Sequence, residues 1–329
     1  MNSEASALTT KSKMNGTIDI VKVIMAVLVI GIHTEPFGFN VWLDRGFGII
    51  TRLCVPFFFV ASAYFFWRKD KPAKLFLKRI ATLYVVWSII FIPYDINKLK
   101  EMTVPEILYR YFWIGNEHGL WYLYATIIGF IITYILLKFL KPKYVLIIAI
   151  VLLVIGTAKS TYSAAFQQLF GFTLPDVLKS RNGLFYGFPY IALGMSIAKS
   201  KTQGIIESRK KVIIGFIISL LFLVLESYIF VVRFKAESTI LWLSVFPCTY
   251  FFFLIVKNIN ISISANISLT LRKMSTLLYF SQFLFIPLLH NYLSNITFFI
   301  AVTALSAIFS IAVIKISEIK YFRFLKILY

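Results

Sequence analysis

The 329 residues carry 59% hydrophobic side chains, only 15% charged ones and a mean hydropathy of +0.82. A soluble chain holds roughly 45–50% apolar and about 25% charged residues, so this composition excludes an ordinary water-soluble enzyme. The net charge of +20 taken alone would suit a nucleic-acid partner, but its distribution along the chain gives it a different meaning.

Residues 1–17 are polar and are expected to form a disordered cytoplasmic segment with no signal-peptide core. Ten apolar stretches follow, at 20–39, 47–67, 82–94, 120–140, 144–158, 183–198, 212–232, 239–256, 275–292 and 296–314. Most are long enough to cross a hydrocarbon core of about 30 Å. Two of them, 82–94 and 144–158, are short. The first is expected to borrow 75–80, with Lys78 and Arg79 snorkelling. The fold class expected is all-α: a polytopic membrane bundle of about ten transmembrane helices over 18–316, with a short cytoplasmic tail at 317–329.

Charge sets the sidedness. Arg68, Lys69, Lys71, Lys74, Lys78 and Arg79 fall between the second and third stretches. Lys199, Lys201, Arg209, Lys210 and Lys211 fall between the sixth and seventh. The alternate connections hold few cations and most of the acids, among them Glu35, Asp44, Asp95, Glu106 and Glu117. By the positive-inside rule both termini are cytoplasmic, and 95–119 and 159–182 lie outside. No nucleic acid is needed to explain the charge. Cys54 and Cys248 sit in apolar runs and read as packing residues, with no disulfide framework or metal motif.

Ionisable groups inside apolar spans are costly and therefore candidates for function. Lys22 and His33 are eleven residues apart. At about 100° per residue this returns both to one helix face, roughly 16 Å apart along the axis. Asp19 stands three residues before Lys22, at pairing distance on a helix. An imidazole is suited to general base work near neutral pH. The plainer alternative also stands, with Lys22 snorkelling and His33 capping a span near water. Glu35 either holds the imidazole or faces water. Arg52, early in the second span, faces the bundle interior or the headgroups. Glu226 pairs with Arg233 or Arg181, or lines a polar cavity. His118 and Trp121 open the fourth span, and Arg181 precedes the sixth. These polar exceptions gather toward the outer half of the membrane.

In order along the chain, these residues resemble the acyltransferase 3 family of membrane proteins. Lys22 and His33 are similar to its Arg-x10-His signature. Pro56-Phe57-Phe58-Phe59 with Ser62-Ala63-Tyr64 is similar to its Pro-Phe-Phe-Phe-x-x-Ser-Gly-Tyr. Leu120-Trp121-Tyr122-Leu123, Arg181-Asn182-Gly183-Leu184-Phe185 with Gly194, and Ser275-Thr276-Leu277-Leu278-Tyr279 complete the set. The pattern is also similar to the membrane half of the membrane-bound serine racemases of glycopeptide resistance, whose following racemase domain is not expected here. Four positions depart from the family. Lys22 replaces an Arg, Ala63 a Gly, and Gln282 a His. Gly119 stands directly before Leu-Trp-Tyr, with His118 one residue earlier.

The resemblance implies an enzyme of the bacterial cytoplasmic membrane with no resident cofactor. It implies transfer of an acyl group, typically acetyl, from a cytoplasmic acyl-CoA donor to a hydroxyl of an extracytoplasmic glycan. In that reading His33 is the base or acyl relay, with Glu35 beside it, and Arg52 or Arg181 stabilises the oxyanion. Lys22, Lys78 and Arg79 meet the donor. Ser62, Tyr64, His118, Trp121, Arg181 and Glu226 line the substrate path. Two other functions compete: transport of a small amino acid such as serine, and an inactive scaffold. Lipid is a partner in every reading, and the oligomeric state is open.

Overall fold

The computed structural model describes residues 13–69, 72–115, 118–172, 180–200, 208–236 and 241–329. Its chain is helical almost throughout. Seven helical stretches among the described residues are long and apolar enough to cross a membrane. They are Thr17–Thr34, Val41–Arg68, Ala73–Glu101, Trp121–Phe139, Pro142–Lys159, Arg209–Arg233 and Asn295–Ile316. The other three expected spans are helical too, but shorter or more polar.

The N-terminal segment departs from expectation. Lys13–Asn15 forms a strand, β1, paired antiparallel with β2 (Ser262–Ser264), Met14 lying opposite Ile263. Residues 13–17 are therefore tied down rather than disordered, while 1–12 lie outside the described residues. The cause is local chemistry. Asn15 Oδ1 accepts from the Thr17 N–H and hydroxyl at 3.0 and 2.8 Å, and its amide donates to the Ile259 carbonyl at 3.0 Å.

Helix α1 (Thr17–Thr34) ends at Glu35, which takes a left-handed conformation with its N–H on the Gly31 carbonyl. Asn40 caps α2 (Val41–Thr51) by accepting from Trp42 and Leu43 N–H. A turn at Arg52 and Leu53 separates α2 from α3 (Cys54–Lys69). The short third span is resolved as anticipated: α4 (Ala73–Glu101) runs 29 residues and takes in 75–80. The connection after it is ordered as α5 (Val104–Tyr109) and a π-helical turn, Arg110–Ile114.

Then come α6 (Trp121–Phe139), α7 (Pro142–Lys159) and α8 (Ser163–Phe170). Asn182 caps the π-helical Gly183–Gly187, which leads into α9 (Phe188–Lys199). The remaining helices are α10 (Arg209–Ser227), α11 (Val245–Asn258), α12 (Ala265–Leu289) and α13 (Asn295–Ile316). Helix α12 begins ten residues earlier than the apolar run predicted, because Ser264 caps it by accepting from the Ile267 N–H. The final residues, Lys320–Leu328, form a 3-10 helix docked on α4, where the Trp87 indole donates to the Leu328 carbonyl at 3.2 Å.

Helix α3 runs through the core against α9, and α1 packs on α12. Residues Phe57, Phe59 and Val60 are fully buried. The α3–α9 approach needs Gly194, since a Cβ there would meet the Val60 carbonyl oxygen at 2.4 Å. Four threonines inside the helices are absorbed locally. Thr126, Thr133, Thr157 and Thr249 each donate to the carbonyl four residues back, at 2.7–2.8 Å, so they add no unpaired donor to the apolar interior.

Candidate active site

Helix α1 carries Lys22 and His33 on one face, and the structure builds a different environment at each end of it. At the Lys22 end lies a cavity of about 260 Å³ between α1, α3, α4, α6 and α12. Three cations reach it, Lys22, Arg79 and Arg272, with Ser62, Tyr122 and Tyr279 at its far side. Lys22 Nζ lies 5.0 Å from the Phe65 ring centroid, a cation–π contact. Arg272 is fixed by Asp19, its Nε 2.9 Å from Oδ2, and by Ser268, which itself donates to Asp19 at 2.6 Å. Asp19 is thus committed to Arg272, a long-range partner, where sequence spacing suggested Lys22. Arg79 and Arg272, both lining the cavity, repel each other.

Of the three residues expected to meet a donor, Lys22 and Arg79 line this cavity and Lys78 does not; its side chain is exposed. Arg272 takes its place. The sequence did carry a signal: Ser268 and Arg272 stand four residues apart, one helical turn. It was hidden because 265–274 looked like a loop.

Ser62 Oγ lies 3.5 Å from the Tyr122 hydroxyl. Phe58, Tyr122 and Tyr279 pack on one another with centroids 5.4–6.1 Å apart. Beyond this aromatic layer is the His33 end. Tyr64, grouped with Ser62 by sequence, instead packs against Phe253 of α11 at 5.2 Å and is not among the cavity-lining residues.

At the other end, the exposed His33 ring packs edge-on against Phe283, centroids 4.9 Å apart. Phe283 also meets the His118 ring at 5.9 Å, so one phenyl ring separates the two imidazoles. The charge of Arg181 bears on His33, Tyr186 and Tyr279, and that of Arg52 on Tyr186. Arg181 sits 5.0 Å over Trp121, whose indole stacks on Tyr186 at 14°. Arg181 thus bears on His33 and contacts Trp121, while Arg52 bears on the Tyr186 that stacks on Trp121.

Glu35 does not join them. Its carboxylate is exposed and makes no hydrogen bond to His33, because the residue is spent on closing α1 in a left-handed turn. Glu226 is also placed differently. It is 6% exposed, and accepts from the Tyr162 hydroxyl and from the Leu243 and Ser244 N–H groups, both at 2.8 Å. Those amides open α11, where a carboxylate is favoured by the helix dipole. Its oxygens are used structurally and not on Arg181 or Arg233. Burial and the Glu226 hydrogen bond push the Tyr162 phenol up, keeping it a donor.

Sequence reasoning missed Asp95. This residue of α4 is 4% exposed, and its Oδ1 lies 3.0 Å from Arg110 and 3.2 Å from His118 Nε2. His290, the remaining histidine, is exposed and contacts Asn291 and Phe298, apart from this group.

A family model described as an acyltransferase domain matches residues 15–315. An amino-acid racemase of Enterococcus faecalis is 31% identical over 215 residues, covering 59% of this chain and 29% of the relative. A second one from the same species is 24% identical over 325 residues, covering 87% and 44%. A serine/alanine racemase of Enterococcus gallinarum is 27% identical over 233 residues, covering 65% and 33%. The chain spans less than half the length of these relatives. No solved structure matches.

Proposed function

The chain belongs to the acyltransferase-domain family, and on that premise we propose that it is a multi-pass membrane O-acyltransferase. In this reading the acyl group, acetyl in the simplest case, comes from a cytoplasmic acyl-CoA. It passes to a hydroxyl of an extracytoplasmic acceptor, most simply a cell-surface polysaccharide. In this reading the chain crosses ten times with both termini cytoplasmic, so that the Lys22 end faces inward and the His33 end outward.

The observation that carries the reading is the pairing of two unlike ends on one helix face. Lys22, Arg79 and Arg272 offer cations for donor phosphates. About 260 Å³ is near the lower end of small-molecule pockets, enough for the thin thioester arm with the nucleotide left at the mouth. The acyl end then meets the Phe58–Tyr122–Tyr279 layer, and a rotation of those rings admits it toward His33. There His33 takes the acceptor proton or the acyl group itself. Arg181 and Arg52 stabilise the negative charge that develops on the carbonyl oxygen. Trp121 holds the Arg181 guanidinium over its ring, at the site where the acceptor would arrive.

The second reading is movement of a small amino acid such as serine; the relatives' names speak of amino-acid racemases and not of transport. One experiment separates the two. The full chain is reconstituted in vesicles and supplied with acetyl-CoA or with labelled serine. Release of coenzyme A thiol, increased by a polysaccharide or oligosaccharide acceptor on the opposite side, supports acyl transfer. Serine uptake without thiol release overturns it. Cysteines placed at Lys100 and Lys210 test the orientation: only the first should react with an impermeant reagent on intact cells.

A further inference from the structure

We propose that Asp95 and His118 form a second proton-transfer pair, the base that activates the acceptor hydroxyl, with Arg110 holding the pair in place. The inference deepens the acyltransferase reading and rests on it.

Hydrogen-bond chemistry fixes the His118 ring. Asp95 Oδ1 lies 3.0 Å from the Arg110 guanidinium, and both side chains are buried, 5% and 6% exposed. A carboxylate so paired is ionised and only accepts. The His118 nitrogen 3.2 Å from the same oxygen, Nε2, must therefore carry the hydrogen. In a neutral imidazole that leaves Nδ1 as a bare lone pair. A ring held by a carboxylate in one tautomer, with its other nitrogen open, is the arrangement a general base needs.

Three more observations point the same way. The His118 side chain keeps 18% of its surface accessible, so the open nitrogen is not sealed in the core. His118 and Gly119 both take positive φ, 55° and 73°, a backbone that L side chains rarely adopt and that clusters at functional sites. Gly119 is needed there, because a Cβ would fall 2.6 Å from the Phe283 ring. The second carboxylate oxygen, Asp95 Oδ2, is buried with no hydrogen-bond partner. A purely structural ion pair would gain by satisfying it.

Phe283 stands between His33 and His118, so a rotation of that ring is the motion that lets both imidazoles reach one acyl carbon, each with its own task. His33 takes the acyl group: a ring nitrogen bonds to the acyl carbon, the carbon–sulfur bond breaks, and the electron pair leaves on the coenzyme A thiolate. The acceptor oxygen then bonds to the acyl carbon. Its O–H bond breaks, the proton goes to His118 Nδ1, and the acyl carbon–nitrogen bond breaks to return neutral His33. The proton on His118 is later released to the medium, matching the thiolate that left. Asp95 is a positioning residue in this scheme and His118 a catalytic one.

The test uses the full chain in nanodiscs with acetyl-CoA as the donor and glycerol as the acceptor probe. Free thiol is followed from the first turnover. His118→Gln and Asp95→Asn should keep a burst of about one thiol per protein and lose about 10²-fold or more in the steady rate. Asp95→Glu should recover part of that rate, and His33→Ala should lose the burst itself. Variants that lose burst and steady rate alike, or keep both, overturn the proposal. Nitrogen NMR of the ring gives a check that needs no turnover, and the chain has only three histidines. His118 should be the Nε2–H tautomer, and Asp95→Asn should disturb it. A ring that is Nδ1–H, or indifferent to Asp95, overturns the pair. Absence of any thiol release from the unmutated protein overturns the acyltransferase reading and the catalytic role together, while the tautomer still reports whether Asp95 positions the ring.

Discussion

Glu226 and Asp95 are both carboxylates buried in an apolar bundle, 6% and 4% exposed, and they are used in opposite ways. Glu226 gives both oxygens to three donors: Tyr162, Leu243 and Ser244. It ties the end of α10 to the start of α11, and nothing is left over for a substrate. Asp95 gives one oxygen to Arg110 and His118 and leaves the other without a partner. Burial of a charge is costly in each case. What distinguishes a structural carboxylate from a working one is how completely its acceptor capacity is consumed, and whether one of its partners titrates.

The largest effect is expected at His33, which shares Phe283 with the His118 of the Asp95 pair. Replacing His33 by Ala should lower acyl transfer by about 10²–10⁴-fold, with normal amounts of folded protein, because the residue stands near the end of α1. His290→Ala should retain most activity, since that ring lies apart. Near-normal transfer by the His33 variant, measured with a defined donor in membranes, would remove the catalytic assignment.

Next comes the Glu226 side. Glu226→Ala leaves a phenol and two backbone amides without their acceptor, and each buried donor so stranded costs about 1–3 kcal/mol. The loss should appear as folded yield and thermal stability, measured by fluorescence-detected chromatography after heating. Glu226→Gln, keeping one acceptor oxygen, should fall between. A Glu226→Ala protein that is stable but inactive would reverse the comparison and return Glu226 to the substrate path.

The contrast also explains what the sequence could and could not disclose. Hydropathy placed the helices well, and the Lys22–His33 face follows from the helical repeat alone. Helix α12 started early because one serine, Ser264, caps a stretch whose Asn, Ser and Arg residues look like loop. Asp95 stayed invisible because its partners are 15 and 23 residues away, across a connection that only folds back in three dimensions. Glu226 was misjudged for the reverse reason: an acid in an apolar run signals function by default, and its true partners are backbone amides, which no side-chain pattern reveals. Arg272 belonged to the site through Asp19, 253 positions away.

A smaller effect is expected at the cation-rich cavity. Lys22 is a point charge against Phe65, and an Arg offers the same charge with more donors. Lys22→Arg should keep activity, while Lys22→Met should raise the KM for acyl-CoA by about ten-fold or more, the loss of a charge-assisted contact of about 1.5–3 kcal/mol. The steady-state kcat should change less than KM. If Lys22→Met matches the parent in both, the cavity does not hold the donor at its Lys22 end, and Arg79 and Arg272 carry that task alone.

The smallest effect belongs to a third carboxylate, and it sharpens the comparison from the exposed side. Glu106 accepts from the Thr103 N–H at 2.7 Å and its hydroxyl at 2.8 Å, closing the start of α5. Those two bonds hold its carboxyl below the ordinary value of 4.5. A carboxyl lowered on folding contributes stability that is present above its unfolded value and is lost as pH falls through the folded one. The local order of α5 should therefore be constant from neutral pH down to about the ordinary carboxylate range and decline only below it. Amide exchange at Ile107, Leu108 and Tyr109 reads this directly, and Glu106→Gln should flatten the pH dependence while keeping most of the order. Acyl transfer at neutral pH should not change in that variant. Glu106 is as fully engaged as Glu226 but stands in water, so its loss should be felt by one short helix and nowhere else. A drop in activity on Glu106→Gln would show that α5 passes its position on to Arg110, the first residue after it, and through Arg110 to Asp95.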